Sequence, residues 1–232
     1  MKSASDFQKQ FIQDASHELR TPIATALTNI EVLEIKSEVS IEDYRELTRV
    51  LKLSLDRMNN ISNSLQLLSD DSDSLARLEE VSIPEIITNV VNEVELEARR
   101  QGILINWTPP AAEAFVLGDG FRLRQVVFNL IDNAINYNHP EGSINISIQI
   151  ENRSVMIQVA DTGVGIAAAD LSHIFDRFFR VDQSRSRQRG GSGLGLAIVN
   201  KVVKDLRGTV SVESIPGQGS TFCVRLPLYP QA

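Results

Sequence analysis

The sequence predicts an α+β protein in which an antiparallel helical hairpin, forming a four-helix bundle in the dimer, precedes an α/β sandwich. Three observations support this prediction. All 13 glycines lie between Gly102 and Gly219, apolar residues before residue 69 recur at helical spacing, and apolar residues after residue 143 alternate as in strands. The two parts of the chain are therefore built differently, and we expect two domains, 1–72 and 73–232.

The first part contains two long amphipathic helices. Apolar residues step by three and four from Phe7 to Leu33, and again from Leu47 to Leu68 with one polar interruption at Ser54. The apolar positions of the first helix spread wider than one partner helix would cover. We therefore expect a second copy of the hairpin to complete a four-helix bundle, so that the protein is a homodimer.

The second part begins beyond a polar linker, residues 69–74, and alternates helices with strands. Ser82 and Glu85 form a capping box before a helix that ends at Gly102. The remaining elements are expected, in order, as two strands, a helix capped by Asp119, a strand hairpin, a helix and two strands: 103–107, 114–117, 119–134, 144–150 with 155–159, 194–206, 209–214 and 221–226. We expect one mixed sheet covered by helices on one face.

Composition and charge exclude several classes of function. Lysine and arginine number 23 against 30 aspartate and glutamate residues, and this net charge of -7 argues against nucleic-acid binding or a polybasic membrane patch. The only cysteine, Cys223, permits no intrachain disulfide and fits a reducing compartment. Because no run approaches the roughly 18 apolar residues of a membrane span, we expect a soluble, cytoplasmic protein.

A polar group in the middle of the first helix is the first candidate for chemistry. His17, Glu18 and Thr21 lie within about one turn and off the apolar stripe, which is ordinarily a solvated face. Pro22 favours a functional interpretation, because a proline inside a helix removes a hydrogen bond and costs about 3 kcal/mol. A neutral imidazole can act as a nucleophile while Glu18 takes its proton, so the trio predicts a phosphoryl acceptor.

Two further groups precede the last helix. Asn129 and Asn133 lie one helical turn apart, and their amide oxygens suit Mg²⁺, although a pair of asparagines on a solvated face is a common alternative. Asp161 ends a strand and enters a turn with Gly163 and Gly165, where a carboxylate can accept a hydrogen bond from the exocyclic amine of a base. The same glycines also match a dinucleotide fingerprint, but the parallel βαβ unit that it requires is not evident.

A cluster of four glycines opens directly into the helix 194–206. Backbone amides in such a loop and at a helix start form a cradle for anions, and three arginines lie just upstream, in 185–189. A flexible connector is the alternative, but connectors rarely run straight into an apolar helix. The cluster therefore predicts phosphate binding.

The order of these motifs resembles the catalytic core of two-component sensor histidine kinases. Six segments carry the resemblance, and they follow one another as the H, N, G1, F, G2 and closing glycine boxes of that family: 17–22, 129–133, 161–165, 175–178, 191–195 and 217–222. The resemblance implies a dimerisation and phosphotransfer hairpin followed by a Bergerat-type ATP-binding domain, with ATP and Mg²⁺ as nucleotide and metal.

The same resemblance implies a role for each site residue. His17 would accept the γ-phosphoryl group, Glu18 would assist as base, and Thr21 would position water for dephosphorylation of a response regulator. Asn129 and Asn133 would hold Mg²⁺. The implied contacts to the nucleotide involve Asp161 at the adenine amine, Tyr137 beside the base, Arg180 at a phosphate, and the turn and loop positions Gly163, Gly165, Gly191, Gly193, Leu194, Gly195 and Thr221, under a lid over about 176–192.

The resemblance therefore implies autophosphorylation of His17 and transfer to an aspartate in the receiver domain of a response regulator, together with regulator phosphatase activity. Two other functions remain open: a nucleotide-binding pseudokinase or scaffold dimer, and a conformational ATPase of the gyrase type. The ATPase relatives carry a glutamate where this chain has Asn129, and the family often has Lys or Arg where it has Asn136. Fewer than 20 residues precede His17, so we expect a fragment without the sensor domain, which in this family is often membrane-spanning.

Overall fold

Two long helices begin the part of the chain that the structure, a computed structural model, describes: residues 4–69, 78–181 and 192–229. Helix α1 spans Ala4–Glu34 and includes Pro22, whose side chain is buried, and helix α2 spans Ile41–Ser69. The expected linker, 69–74, falls outside the described residues from position 70 onward, as does the proposed domain boundary. The two helices themselves are confirmed.

The start of α2 is fixed by reciprocal capping. The Asp43 amide donates to Ser40 Oγ at 3.1 Å, and the Ser40 amide donates to Asp43 Oδ2 at 2.9 Å. Hydrogen bonds from Lys36 and then from Ser40 lower the pKa of Asp43 to about 2. This cap, together with a salt bridge to Lys36, holds the exposed connection between the helices.

The hairpin covers only part of its own apolar surface. Among its described apolar side chains, five are buried: Ala15, Pro22, Ile61, Leu67 and Leu68. Ser54 is buried as well, so the polar interruption of the second stripe lies on the packed face. Several large apolar side chains of α1 stay about half exposed, among them Ile23, Leu27 and Val32. One partner helix is therefore not enough for α1.

The α/β domain follows, and apart from β1, which was not predicted, the bounds of its elements agree closely with the predicted ones. In chain order they are β1 (Glu79–Ser82), α3 (Ile83–Arg100), β2 (Leu104–Trp107), β3 (Phe115–Gly118), α4 (Gly120–Asn136), β4 (Ser143–Glu151), β5 (Ser154–Asp161), α5 (Gly195–Asp205), β6 (Thr209–Ile215) and β7 (Gly219–Pro227). Ser82 and Asp119 are the N-caps of α3 and α4, as expected.

Among the described residues the strands form two sheets rather than one. The larger has the order β2-β4-β5-β7-β6, in which only β2 and β4 are parallel, and the smaller pairs β1 with β3 antiparallel. The expectation of a single mixed sheet was therefore wrong. The partner of β3 was missed because three of the four residues of β1 are polar and only Val81 is buried, so no apolar pattern marks this strand.

The core lies between the helices and one face of the larger sheet. Along β5 the alternate residues Val155, Ile157 and Val159 are buried, whereas their neighbours are partly exposed. Leu130 and Ile131 of α4 are fully buried in the same cluster. None of the helices in the described segments combines the length and apolarity that crossing a membrane requires.

Candidate active site

The predicted phosphoryl acceptor lies on the solvent side of α1. The His17 side chain is exposed, and the Thr21 hydroxyl donates to the His17 carbonyl at 3.3 Å. One turn further along, Thr25 makes the same kind of contact with the Thr21 carbonyl at 3.1 Å. The imidazole is therefore accessible to a substrate. Thr21, to which the family resemblance also assigns a role, lies one turn away.

Glu18 is held between two arginines from different parts of the fold. Arg57 of α2 donates through Nη2 to Glu18 Oε2 at 3.1 Å, and Arg180 Nη1 of the α/β domain lies 3.6 Å from Glu18 Oε1. The Glu18 side chain is 23% exposed and that of Arg180 is 8% exposed. The carboxylate beside His17 is thus the point at which the hairpin and the α/β domain meet electrostatically.

Aromatic contacts extend the same junction. The rings of Phe11 and Phe178 have their centroids 6.0 Å apart, and the Arg177 guanidinium lies 4.8 Å from the centroid of Phe11. Arg177 also donates to the Leu68 carbonyl at 3.4 Å near the end of α2. The aromatic segment 175–179, which contains the expected F box, therefore packs on the helical hairpin as well as on its own core.

The asparagine pair on α4 faces the glycine loop. A Cβ atom placed on Gly195, the first residue of α5, would lie 2.9 Å from Asn129 Oδ1, so glycine is needed for this close approach. Asn129 Nδ2 is buried and has no hydrogen-bond partner within the described residues. Asn133 lies one turn further along α4 and is partly buried. This edge of α4 offers an unused polar atom to a ligand.

Asp161 stands at the end of β5, where β7 begins beside it. Its Oδ1 accepts from the amide of Gly163 at 2.8 Å and from the amide of Ser220 at 3.2 Å. Burial raises the pKa of Asp161, and the two amides partly offset that rise. In the described part of the chain, Oδ2 accepts no hydrogen bond and is available to a donor such as the amine of adenine.

The turn after Asp161 is packed against the end of α4. The amide of Val164 donates to the carbonyl of Tyr137, the C-cap of α4, at 3.0 Å. A Cβ on Gly163 would collide with that same carbonyl, so the turn requires glycine there. Tyr137 itself is 41% exposed at this edge. The carboxylate of Asp161 and the C-cap tyrosine of α4 are therefore joined through this one turn.

The glycine loop and the aromatic segment are joined at their backbones. The Phe178 amide donates to the Gly193 carbonyl at 2.8 Å, and both residues have positive φ, 62° and 70°. Leu194, the N-cap of α5, is fully buried, so it could meet a nucleotide only through its backbone. The expected site residue Gly191 and the arginines at 185–189 lie outside the described residues.

The remaining predicted positions lie beside Asp161 and the turn that follows it. Thr221 of β7 pairs with Ala160 of β5, next to Asp161, and Gly165 lies against the backbone at Ile215. The structure thus brings together the asparagine, aspartate and glycine motifs. It joins the histidine motif to them through the contact between Glu18 and Arg180.

Sequence patterns missed three residues that shape this site. Arg57 belongs to no motif and is 39 positions from the glutamate that it contacts. Ser220 contributes a backbone amide to Asp161, which no side-chain pattern reveals. Asn138 is buried and accepts hydrogen bonds from the His139 amide and from the Thr162 hydroxyl, which steadies the turn. Only its place directly after the asparagine motif could have drawn attention to it.

Comparisons with known proteins agree with this arrangement. Residues 7–73 match the family described as His Kinase A (phospho-acceptor) domain, and residues 118–230 match the Histidine kinase-, DNA gyrase B-, and HSP90-like ATPase family. The sensor histidine kinase RppB of Synechocystis is 35% identical over 96% of this chain. That alignment covers 49% of RppB, so the chain spans about half the length of this curated relative.

Solved structures show the same architecture. Full-length ShkA, determined in complex with AMPPNP, is 27% identical, covers 97% of this chain and 46% of its own, and has a TM-score of 0.70. The histidine kinase ThkA, determined in complex with the response regulator protein TrrA, has a TM-score of 0.72 at 23% identity, covering 95% of this chain and 62% of its own. The chain belongs to the sensor histidine kinase family and contains the catalytic core of a two-component kinase.

The residues at the site also fit the ligands that the family implies. Asn129 lies at the N-terminus of α5, a position that favours anions, and its buried Nδ2 is a donor without a partner in the described structure, which suits a phosphate oxygen. Asn133 lies one turn further along α4. Mg²⁺ binds oxygen atoms from few protein groups, completing its shell with water and phosphate. In the arrangement that the family resemblance implies, Asp161 would accept from the adenine amine. The described side chains are therefore compatible with ATP and Mg²⁺.

Proposed function

We propose that this chain phosphorylates itself on His17 with ATP and passes the phosphoryl group to an aspartate of a response regulator. The observation that carries the proposal is the position of Glu18. It follows an exposed His17 on α1 and is contacted by Arg180 of the nucleotide-binding domain. The acceptor helix and the predicted phosphate site are thereby brought to one place.

The transfer assigns a balanced set of bond changes to these residues. One ring nitrogen of His17 attacks the γ-phosphorus, and the other ring nitrogen gives its proton to the Glu18 carboxylate. The bond from the γ-phosphorus to the β,γ-bridging oxygen breaks, and ADP leaves with that electron pair. Mg²⁺, when bound, neutralises phosphate charge and orients the leaving group. The protein's part is positioning and charge stabilisation.

Three further features support parts of this proposal. The Asp161 carboxylate, whose Oδ1 is held by the Gly163 amide, supports recognition of the adenine amine, and the similar protein ShkA was determined with AMPPNP. The complex of ThkA with TrrA supports a response regulator as the partner. The half-exposed apolar side chains of α1 support a homodimer. Asn129 stands where the ATPase relatives carry glutamate, which favours transfer to histidine over hydrolysis.

The first test is labelling from γ-labelled ATP with Mg²⁺, followed by acid and base treatment. We expect label on the wild type that is lost in acid and kept in base, and none on His17→Gln. His139→Gln is the matched control, because His139 is also exposed but lies in the nucleotide-binding domain. Label that persists in His17→Gln would refute the assignment. Nucleotide binding without label would favour a scaffold, and phosphate release independent of His17 would favour an ATPase.

Phosphatase activity toward the regulator is assigned to Thr21. We expect Thr21→Ala to slow dephosphorylation of a phosphorylated response regulator at least tenfold and to leave the labelling of His17 within about twofold, because the hydroxyl is needed only to position water. Thr25→Ala is the matched control, since Thr25 donates to a carbonyl of α1 in the same way. Equal loss of both activities in Thr21→Ala would contradict this division of roles.

A further inference from the structure

The carboxylate of Glu18 lies between two guanidinium groups that come from separate domains. Arg57 is on α2, which packs beside α1 in the same hairpin, whereas Arg180 follows the aromatic segment of the nucleotide-binding domain. Each guanidinium addresses a different oxygen: Arg57 contacts Oε2 and Arg180 contacts Oε1. In this state neither oxygen of Glu18 is free of a cation.

The two contacts differ in strength. Arg57 Nη2 lies 3.1 Å from Glu18 Oε2, within hydrogen-bond distance, while Arg180 Nη1 lies 3.6 Å from Oε1, beyond the usual limit for an N–H···O bond. Arg57 is also fixed relative to Glu18 by the packing of the two helices. Arg57 is therefore the standing partner of the carboxylate, and Arg180 is the weaker and separable one.

Arg180 retains unused hydrogen-bonding capacity. The Arg180 side chain is only 8% exposed, and its buried Nε and Nη2 have no hydrogen-bond partner within the described residues. A guanidinium carries five donors and pairs best with anions that accept two hydrogen bonds at once, such as carboxylate and phosphate. Glu18 alone therefore satisfies Arg180 poorly. A triphosphate, with more oxygens and more charge, would satisfy it better.

We propose that Glu18 and the phosphates of ATP compete for Arg180, and that Arg57 is the positioning residue that keeps Glu18 in place when Arg180 leaves. This inference rests on the proposed function, because it takes ATP as the donor and Glu18 as the base. Once Arg180 pairs with phosphate, Oε1 is free to accept the proton of His17 while Arg57 holds Oε2. The base then becomes available only where nucleotide has arrived.

The competition is tested by nucleotide binding, which requires no phosphorylation. Calorimetry would measure the Kd of AMPPNP with Mg²⁺ for the full chain, Glu18→Gln, Arg180→Gln and the double variant. We expect Glu18→Gln to bind about tenfold more tightly, because the competing anion is gone, and Arg180→Gln to bind more weakly. In the Arg180→Gln background, Glu18→Gln should change Kd less than twofold.

A matched control separates this competition from a general effect of charge. Glu31→Gln removes the same charge from an exposed position on α1 that lies 13 residues from Glu18, roughly 20 Å along the helix. We expect it to leave Kd within twofold of the wild type. Equal tightening in Glu31→Gln, no tightening in Glu18→Gln, or tightening that persists without Arg180 would each overturn the competition.

Arg57 is tested by the rate of labelling at saturating ATP. We expect Arg57→Gln to lower this rate about tenfold with the AMPPNP Kd unchanged, and Arg57→Lys to restore most of it. Because Arg57 is proposed to act through Glu18, Arg57→Gln should cause no further loss in a Glu18→Gln background. Circular dichroism melting would verify that each variant folds. An equal tenfold loss in the Glu18→Gln background would overturn the positioning role.

The two proposals fail in different ways. Nucleotide binding that shows the coupling, with no label on His17 in any variant, would overturn the proposed kinase function and support the competition for Arg180. Acid-labile label on His17 with additive effects of Glu18→Gln and Arg180→Gln on Kd would support the kinase function and overturn the competition.

Discussion

The nucleotide-binding domain buries a large apolar core, whereas the helical hairpin leaves much of its apolar surface exposed. In the former, a continuous cluster of fully buried aliphatic residues lies between three helices and one face of a sheet. In the latter, only Ala15, Pro22, Ile61, Leu67 and Leu68 are buried among the described apolar side chains, and two of these, Leu67 and Leu68, belong to the cluster of the other domain. The hairpin thus leaves apolar surface that the proposed second copy would cover. Unfolding measurements therefore probe the first domain, and association measurements probe the second.

The largest expected effect concerns the closed core. Ile131 of α4 is fully buried, and we expect Ile131→Ala to lower the free energy of unfolding of the nucleotide-binding domain by about 2–5 kcal/mol, because it removes buried contacts and leaves a cavity. Chemical denaturation at several protein concentrations would measure it, and the loss should not depend on concentration. The control is Ile35→Ala at an 83% exposed position, where we expect less than about 0.5 kcal/mol. Similar losses at both positions would erase the contrast.

The next effect concerns the open face of the hairpin. Leu27 is an apolar residue of α1 that is 54% exposed, and we expect Leu27→Glu to weaken the dimer roughly a hundredfold, since the charge would have to be buried at an apolar interface. Sedimentation equilibrium would measure the dissociation constant. Leu96→Glu is the matched control, because Leu96 is 62% exposed on α3 of the other domain and should not affect association. A monomeric wild-type chain would contradict the dependence on a second copy.

A third prediction concerns nucleotide affinity rather than the stability of the core. Asp161→Asn keeps an oxygen for the amides of Gly163 and Ser220 but removes the charge, so we expect the affinity for AMPPNP to fall about 10- to 100-fold, the usual value of a hydrogen bond to a charged group. Binding calorimetry would measure the loss. Asp161→Glu, which keeps the charge but moves it, should not restore binding.

The same variant predicts the sign of a pH effect on folding. Burial raises the pKa of Asp161, so ionisation of this side chain destabilises the folded state. This destabilisation disappears at low pH, where the side chain is protonated. Asp161→Asn should therefore be slightly more stable than the wild type at pH 7, and this advantage should disappear as the pH falls below the ordinary value of 3.8 for aspartate. Denaturation curves at pH 7 and at about pH 3 would measure it. An advantage that grows on acidification would contradict the assignment.

The smallest expected effect concerns a helix cap. The Asp119 carboxylate accepts from the Arg122 amide at 3.1 Å at the start of α4, and we expect Asp119→Ala to lower the stability of the nucleotide-binding domain by about 1 kcal/mol. Asp119→Asn retains a capping oxygen and should cost far less. A loss independent of which residue is introduced would show that the cap is not the cause.

The sequence allowed most of this fold to be predicted, for identifiable physical reasons. Apolar residues spaced by three and four predict the long helices, and strictly alternating apolar residues predict β4 and β5. Both patterns arise because each of these elements has one buried face. Strand β1 was missed since it contains only one apolar residue, Val81. The split into two sheets was missed because pairing partners such as Val81 and Val116 are distant in sequence.

The candidate site was predictable where short motifs determine local structure and was not where tertiary contacts build it. The glycine turn after Asp161 and the asparagines of α4 were predicted directly, and their proximity is observed through Gly195 and Tyr137. The role of Arg57 was beyond prediction, because nothing in the pattern of α2 shows that one of its arginines reaches Glu18. The contact of Arg180 with a carboxylate was likewise a product of how the two domains meet.

The backbone contact between Phe178 and Gly193 has a consequence for the length of the chain between them. One hydrogen bond joins the Phe178 amide to the Gly193 carbonyl, so the two ends of the segment between them are held together. The entropy of closing a flexible loop grows only with the logarithm of its length, by about 0.6 kcal/mol for each doubling. Insertions between these two anchors should thus be tolerated by the fold, leaving the segment open to variation between related proteins while the helix that follows it stays in register.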